Sequence, residues 1–324
     1  MKMSTFFHLV TLIVLAALTV APDDFTSGLV AATAHQTPSR ESPPIRMRTL
    51  RPGDILYVLI GGGGNSLALM RDDGVVLVDT KLPGGGREML ETIQAVSDKP
   101  VATIINTHAH LDHTGGNAAF AGAKEIVAHE RAKAAMLKLE AFQGPGARFL
   151  PNTIVTDRMT LLDGPDRIEL YYFGPGHTDG DLVVVFPEKR IAYFGDLFPS
   201  KAAPVIDTAN GGSGVAFPDT LAKAVAEIKG IVQVITGHEQ GLDAGRDPRA
   251  GSVDISTPKT MRWADVQEYA EFNRDFLTAV GSAIAAGRSA ADAAATLALP
   301  ERYKDYDMQH ARENVEAIYR ELKK

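Results

Sequence analysis

The sequence predicts an α/β fold, a four-layer αββα sandwich with a helical extension at its C-terminal end. In both halves of the 324-residue chain, short apolar runs broken by Gly and Asp alternate with segments whose apolar residues recur at helical spacing. Such alternation indicates parallel strands covered by helices, so a helix-covered sheet in each half gives four layers. Beyond residue 250 only helical patterns remain, which predicts the extension.

The first half begins with a hairpin. Its tip is a run of four glycines, residues 61–64, and is either a plain flexible turn or a flap over a site. The strands of this half are predicted at residues 55–60, 66–70, 75–79, 101–106 and 125–128. Its helices are predicted at residues 87–97, 116–121 and 129–142. A loop containing Gly and Pro, residues 143–153, then separates the two halves.

The second half repeats the pattern of sheet and helix. Its strands are predicted at residues 167–173, 181–186, 190–194 and 232–235, with a helix at 220–229. The helical extension is predicted at residues 263–286, 290–297 and 308–322. These helices either pack on the main domain or form a dimerisation arm, and the sequence leaves both possibilities and the oligomeric state open.

The N-terminal segment has the pattern of a secretory signal. Lys2 is followed by an apolar stretch, residues 6–21, that is short for a membrane span, and the small residues Ala32-Thr33-Ala34 suit cleavage. A retained anchor is the alternative. The predicted organisation is a signal peptide at 1–34, a flexible lead-in at 35–52, an α/β domain at 53–250 and the helical extension at 251–324. The protein is therefore expected to be periplasmic or secreted, with no stable membrane span after cleavage.

Composition narrows the class of partner. The formal net charge is −7, and the Lys and Arg residues are scattered, which argues against a nucleic-acid partner. The chain contains no Cys. Disulfides, thiolate ligands and Cys nucleophiles are therefore excluded.

The densest cluster of chemistry-bearing residues follows the strand predicted at 101–106. Three histidines and a carboxylate lie within six residues, His108-Ala109-His110-Leu111-Asp112-His113. A lone histidine is usually a surface or satisfied core residue, but these are three of only nine, and His177 and His238 also follow glycines after apolar runs. Neutral imidazole and carboxylate are donors that suit zinc. The cluster therefore predicts a metal site.

The order and spacing of these motifs resemble the metallo-β-lactamase superfamily of hydrolases. The resemblance covers about residues 55–240 and includes the HxHxDH loop, the turn Gly176-His177-Thr178-Asp179-Gly180-Asp181, Gly195-Asp196 and Gly237-His238. It implies a two-metal site. One metal would be bound by His108, His110 and His177, and the other by Asp112, His113 and His238. Asp196 would bridge the two metals, whereas Asp79, at the end of a strand, would orient a ligand.

The resemblance further implies a zinc-dependent hydrolase that acts on a small-molecule substrate, with two zinc ions per chain expected and manganese or iron possible. The N-terminal pattern predicts that this hydrolase is exported. A hydroxide held by the two metals would attack an ester, lactone, thioester or amide bond, with Asp112 as the catalytic residue orienting it. β-Lactamases of the family carry Cys or Ser where Asp196 stands, which puts β-lactam cleavage in doubt. The loop at residues 204–217 is expected to line the pocket. The alternatives are a non-catalytic periplasmic metal-binding accessory protein and a mono-iron persulfide dioxygenase.

Overall fold

A computed structural model describes residues 44–51, 53–238 and 260–323, and these form two sheets. The first sheet has its strands side by side in chain order. They are β1 Arg46–Thr49, β2 Leu56–Ile60, β3 Ser66–Arg71, β4 Gly74–Val78, β5 Val101–Ile105, β6 Glu125–His129 and β7 Thr153–Val155. Strands β1 to β4 are antiparallel neighbours, and β4 to β7 are parallel. The parallel strands therefore direct their carboxyl ends to one edge.

The second sheet has the order β13-β12-β11-β10-β9-β8. Its strands are β8 Arg158–Leu161, β9 Ile168–Tyr172, β10 Leu182–Phe186, β11 Ile191–Tyr193, β12 Gln233–Ile235 and β13 Met261–Arg262. All neighbours are antiparallel except β11 and β12, which are parallel. Both sheets are therefore mixed.

The helices lie outside the two sheets. They are α1 Gly85–Gln94, α2 Leu111–Thr114, α3 Glu130–Met136, α4 Phe217–Glu227, α5 Trp263–Ala285, α6 Ala290–Ala295 and α7 Ala311–Leu322. Strand β10 shows the layering, because all five of its side chains are buried. Leu182, Val184 and Phe186 face the core between the sheets. Val183 and Val185 face the core under the helices of the second sheet. The predicted αββα sandwich is confirmed.

The C-terminal helices cover the second sheet. Val266, Tyr269, Phe272 and Phe276 of α5 are buried in the same apolar core as Phe217 of α4 and Val183 of β10. A buried Phe of this kind stabilises a fold by about 3–5 kcal/mol relative to Ala. The structure thus shows the first of the two predicted arrangements, in which the extension packs on the main domain.

Several elements differ from the sequence-based expectations. Strand β1 lies in the predicted flexible lead-in and pairs with β2, with Arg46 opposite Ile60. Strands β7, β8 and β13 have no counterpart among the predicted strands, and the predicted helix at 129–142 ends at Met136 and continues as short 3₁₀ turns. Both β1 and β8 are short edge strands that are only partly buried and contain few apolar residues, so hydrophobic periodicity could not reveal them.

The predicted signal peptide at 1–34 and the boundary between residues 250 and 251 lie outside the described residues. Within the described ranges, no helix combines the length and the apolar character that crossing a bilayer requires.

Candidate metal centre

Five loops at the ends of strands meet at one end of the seam between the sheets. Asp79 directly follows β4, the segment His108–His113 follows β5, and His177 lies between β9 and β10. Asp196 follows β11 in a 3₁₀ turn, and His238 follows β12. Rigid strands thus hold loops that carry the polar residues. The structure brings all of the metal-ligand candidates predicted from the sequence together at this place.

The first group of candidate ligands is formed by His108, His110, His177 and Asp196, whose ligand atoms all lie within 4.8 Å of one another. His177 Nε2 lies 2.9 Å from His110 Nδ1 and 3.6 Å from Asp196 Oδ2. His108 Nε2 lies 4.0 Å from the same carboxylate oxygen. Three imidazoles and a carboxylate therefore converge on one point, as a metal site requires.

The second group is formed by Asp112, His113 and His238. Asp112 Oδ2 lies 3.4 Å from His113 Nε2 and 3.3 Å from His238 Nε2. The carboxylate of Asp196 also reaches this group, with Oδ1 3.4 Å from His113 Nε2 and Oδ2 3.3 Å from His238 Nε2. Asp196 therefore contacts both groups, an arrangement consistent with a two-metal site.

Unpartnered buried atoms show that the residues fit a metal. Among the described residues, His108 Nε2, His113 Nε2 and Asp196 Oδ1 are buried and have no hydrogen-bond partner. Buried polar atoms are nearly always hydrogen-bonded, because leaving one unpaired costs about 1–3 kcal/mol. All three atoms belong to the two groups and are chemically suited to ligate. The donor set therefore matches bound metal ions better than it matches a purely structural polar cluster.

Asp79 anchors the second group from behind. Its carboxylate accepts hydrogen bonds from His113 Nδ1 at 2.7 Å, from Tyr193 OH at 2.9 Å, and from the backbone N–H and hydroxyl of Thr107 at 2.8 and 2.7 Å. The bond from Nδ1 leaves Nε2 of His113 directed into the site. Asp79 adopts a φ of 60°, a conformation that is uncommon outside glycine. Asp79 is thus hydrogen-bonded to His113, at the position where the resemblance placed an orienting residue, whereas Thr107 and Tyr193 were not anticipated.

Asp207 and Val205 orient the first group and were also not anticipated. Nε2 of His110 donates to Asp207 Oδ2 at 2.8 Å, so its Nδ1 faces His177. Nδ1 of His177 donates to the carbonyl of Val205 at 2.7 Å, which leaves its Nε2 in the cluster. Both residues lie in the loop at 204–217. A pocket role was expected for that loop, but no pattern within it identifies Asp207 as a partner of His110.

The glycine tip is built into the site. Gly64 donates from its backbone N–H to the Asp112 carbonyl at 3.2 Å, and the buried ammonium of Lys81 donates to the carbonyls of Leu59 and Gly64 at 2.7 and 2.6 Å. A Cβ at Gly64 would lie 2.2 Å from the His113 ring, so only glycine fits. Of the two predicted forms, the contacts agree with a tip that lies against the site rather than with a plain surface turn.

Burial and neighbouring charges shift the pKa values of the clustered histidines in different directions. Burial lowers the pKa of His177 to about 4, and burial with the nearby His113 charge holds the pKa of His108 well below its usual value. Burial opposes protonation of His113 as well, but Asp112 and two further carboxylates outweigh it and hold its pKa well above the usual value. Neutral imidazole is the ligating form. In the metal-free protein, His108 and His177 are thus ready to ligate, whereas His113 must first release a proton.

Comparison with known proteins agrees with the geometry. The model of the Metallo-beta-lactamase superfamily matches residues 59–238. The 2,4-dinitroanisole O-demethylase subunit alpha of Nocardioides sp. (strain JS1661) is 37% identical over 164 residues, which are 49% of this chain and 46% of that protein. Metallo-beta-lactamase type 2 of Bacillus sp. (strain 170) is 28% identical over 186 residues, 56% of this chain and 68% of that protein. The chain thus spans about half the length of the first relative and two thirds of the second.

Solved structures share the fold. The sec-alkylsulfatase Pisa1 from Pseudomonas sp. superposes with a TM-score of 0.65 at 14% sequence identity, covering 86% of this chain and 50% of that chain. At this identity the likeness concerns the fold alone. The family model, however, covers more than half of the chain and ends at His238, the last of the clustered histidines. The chain therefore belongs to the metallo-beta-lactamase superfamily.

Proposed function

We propose that this protein is a zinc-dependent hydrolase with a two-metal site that cleaves a small molecule. One metal would be held by His108, His110 and His177, the other by Asp112, His113 and His238, with Asp196 shared. The observation that carries the proposal is the position of the Asp196 carboxylate, within 3.6 Å of His177 in one group and within 3.4 Å of both histidines of the other. Imidazole and carboxylate donors suit zinc, and manganese or iron accept the same set.

A bound metal pair supplies a polarised electrophile and a water acidic enough to react near neutral pH. The chain supplies the positioning. In the proposed reaction the water oxygen bonds to the acyl carbon, the bond to the leaving oxygen, sulfur or nitrogen breaks, and a water proton goes to the leaving group. Burial opposes ionisation of Asp112, but the adjacent His113 holds the pKa of Asp112 well below its usual value. In its ionised form the Asp112 carboxylate can accept a hydrogen bond from the water and orient it.

The bond cleaved is proposed to be an ester, lactone, thioester or amide bond. The similarity to proteins named as a 2,4-dinitroanisole O-demethylase subunit and as a metallo-beta-lactamase adds an aryl ether and a β-lactam as candidates. The carboxylate of Asp196 between the two groups supports the ester, lactone and thioester candidates over the β-lactam, because β-lactamases of the family carry Cys or Ser at this position. The N-terminal pattern supports an exported protein, which N-terminal sequencing of the mature chain from a periplasmic fraction would test.

The decisive experiment measures metal and turnover on the same sample. Elemental analysis of the purified chain is followed by assays on nitrocefin, a lactone, a thioester, an aryl ester and 2,4-dinitroanisole, before and after chelation. About two metals per chain and turnover that chelation abolishes and zinc restores are expected. Asp196→Ala should lower the metal content and abolish turnover. Asp98→Ala, at a side chain that is 89% exposed, should change neither the metal content nor the turnover.

Other outcomes would point to the alternatives. Metal binding without turnover of any substrate, even after zinc resupply, would contradict the hydrolase and favour a metal-binding accessory protein. One iron per chain and oxygen consumption with a persulfide would favour a dioxygenase.

A further inference from the structure

An apolar cavity of about 390 Å³ lies beside the candidate metal centre. Five of its eight lining residues are aliphatic, and they come from the loop after β4, the ligand segment and the region of α3: Leu82, Ala109, Leu111, Ala135 and Leu139. The volume lies at the small end of the range for ligand pockets, about 300–1,000 Å³. The cavity is therefore large enough for a benzene-sized ring with a short chain.

The cavity is continuous with the candidate centre. Two of its remaining lining residues are His110, from the first ligand group, and Asp112, from the second. A molecule in this cavity would thus contact both groups. Its reacting bond would lie at the polar end, and the rest of the molecule would lie against the aliphatic side chains.

The charges around the cavity disfavour an anion. Among the lining residues that the structure describes there is no Lys or Arg, and Asp112 is the one carboxylate. The other ionisable lining residue is His110, whose Nε2 is already hydrogen-bonded to Asp207 at 2.8 Å. Lys81 precedes Leu82, but its ammonium is fully buried and donates to two backbone carbonyls on the tip side. A carboxylate on the non-reacting part of a ligand would therefore lose its water without gaining a cation from the wall. Metal charge would act on the reacting end of every substrate alike.

The last lining residue is engaged elsewhere. Asn210 donates from its side-chain amide to Asp207 Oδ2 at 2.6 Å, and its carbonyl accepts from the Asp179 N–H at 2.9 Å. Asp207 in turn holds His110. Asn210 is thus tied to the ligand group through Asp207, and one N–H of its side-chain amide is committed to that bond.

We propose that this cavity binds the non-reacting part of the substrate and selects an uncharged apolar group, an aryl or alkyl chain, over an anionic group of the same size. The substrate class assigned in this way rests on the hydrolase function proposed above. The selectivity of the cavity depends only on its lining residues, so a binding assay can measure it without turnover.

Binding is tested first, on the metal-free full chain. The probes are 2-octanone, which is neutral, and 5-oxohexanoate, which carries the same methyl ketone, an anionic carboxylate at its other end and the same number of heavy atoms, measured by ligand-observed NMR titration. We expect 2-octanone to bind about tenfold more tightly or better, because a carboxylate that loses its water without a cationic partner in the wall costs at least the free energy that a tenfold change in affinity represents. Leu82→Lys, at a side chain that is 37% exposed and tolerant of charge, should erase the preference. Leu137→Lys is the matched control, because Leu137 is 49% exposed and does not line the cavity.

Turnover is tested second, with p-nitrophenyl hexanoate and the p-nitrophenyl monoester of glutarate on the zinc-loaded chain. We expect kcat/KM to favour the hexanoate by about tenfold or more, and Leu82→Lys but not Leu137→Lys to narrow the ratio. Equal binding of the two probes, or equal behaviour of the two variants, would overturn the assignment of the cavity. Selective binding without turnover of these esters or of any substrate in the panel above would contradict the hydrolase and leave the cavity assignment supported.

Discussion

Replacing Gly64 with alanine tests whether the glycine tip shapes the candidate centre. The backbone of Gly64 lies outside the left-handed region, so alanine is conformationally permitted. Its Cβ, however, would lie 2.2 Å from both Cε1 and Nε2 of His113, whereas non-bonded atoms prefer about 3.5 Å or more. The tip and the ring must therefore separate by about 1.3 Å.

Neither side of this contact can move freely. The His113 side chain is fully buried and donates to Asp79 at 2.7 Å. Gly64 is held by its bonds with Asp112 and Lys81. Overpacking of this kind costs about 1–3 kcal/mol, and a displacement of about 1 Å in a site can cost about 100-fold in rate. We therefore expect Gly64→Ala to lower the free energy of unfolding by about 1–3 kcal/mol, to lower turnover by up to about 100-fold and to weaken metal binding at the second group.

The assay compares thermal unfolding of the metal-free chains, metal content by elemental analysis, and turnover of the best substrate. Gly122→Ala is the matched control, because a Cβ at that position would have nothing within 4 Å and the φ of Gly122 is ordinary. The control should be neutral or slightly stabilising, by up to about 1 kcal/mol. Unfolding, metal content and turnover of Gly64→Ala that match those of Gly122→Ala would refute the packing of the tip on His113.

Three further changes probe the groups around the centre. Asp196→Ala should leave the fold intact, shown by an unchanged far-UV spectrum, while metal content falls from about two per chain and turnover falls at least about 100-fold. Asp207→Ala should weaken metal binding at the first group by about 10–100-fold in a chelator competition titration, because His110 loses its oriented tautomer, and Asp207→Asn should recover part of that loss. Burial raises the pKa of Asp181 from 3.8 to about 7, so the folded chain binds this proton more tightly than the unfolded chain, and stability from this group falls as pH rises through that window. We therefore expect the free energy of unfolding of the metal-free chain, measured with urea, to decline less for Asp181→Asn than for wild type between about pH 5 and about pH 8. An equal decline would contradict the raised pKa of Asp181.

The sequence is most informative where burial dictates residue type. Strands β4 and β10 are covered on both faces, so they appear as continuous apolar runs, and their predicted bounds agree with the observed ones within one or two residues. The histidines and Asp196 follow such strands directly. Their placement at strand ends, and hence their convergence, could therefore be predicted from the order of residues alone.

Contacts between distant segments leave no comparable signal. Lys81 is one of many lysines in sequence, and only the fold shows its ammonium holding the glycine tip. Asp207 lies in a polar loop where an aspartate is ordinary, yet it contacts a histidine 97 positions away. The edge strand β1 is defined by pairing with β2 rather than by burial. Each of these depends on a partner that periodicity and local spacing do not specify.

The two ligand groups both combine residues from the two sheets. His108 and His110 follow a strand of the first sheet, and they meet Asp196 from the second. Asp112 and His113 likewise meet His238 from the second sheet.

Direct bonds close the same seam, because Asn65 donates to the carbonyls of Gly237 and Thr236 at 2.6 and 2.9 Å, and Tyr193 OH reaches Asp79. Neither sheet alone can present either group. A ligand that binds this arrangement and not the unfolded chain stabilises by RT ln(1 + [L]/Kd), about 2.7 kcal/mol at 100 times Kd. That stabilisation therefore acts on the packing of one sheet against the other, so a ligand bound at the candidate centre also stabilises the sandwich.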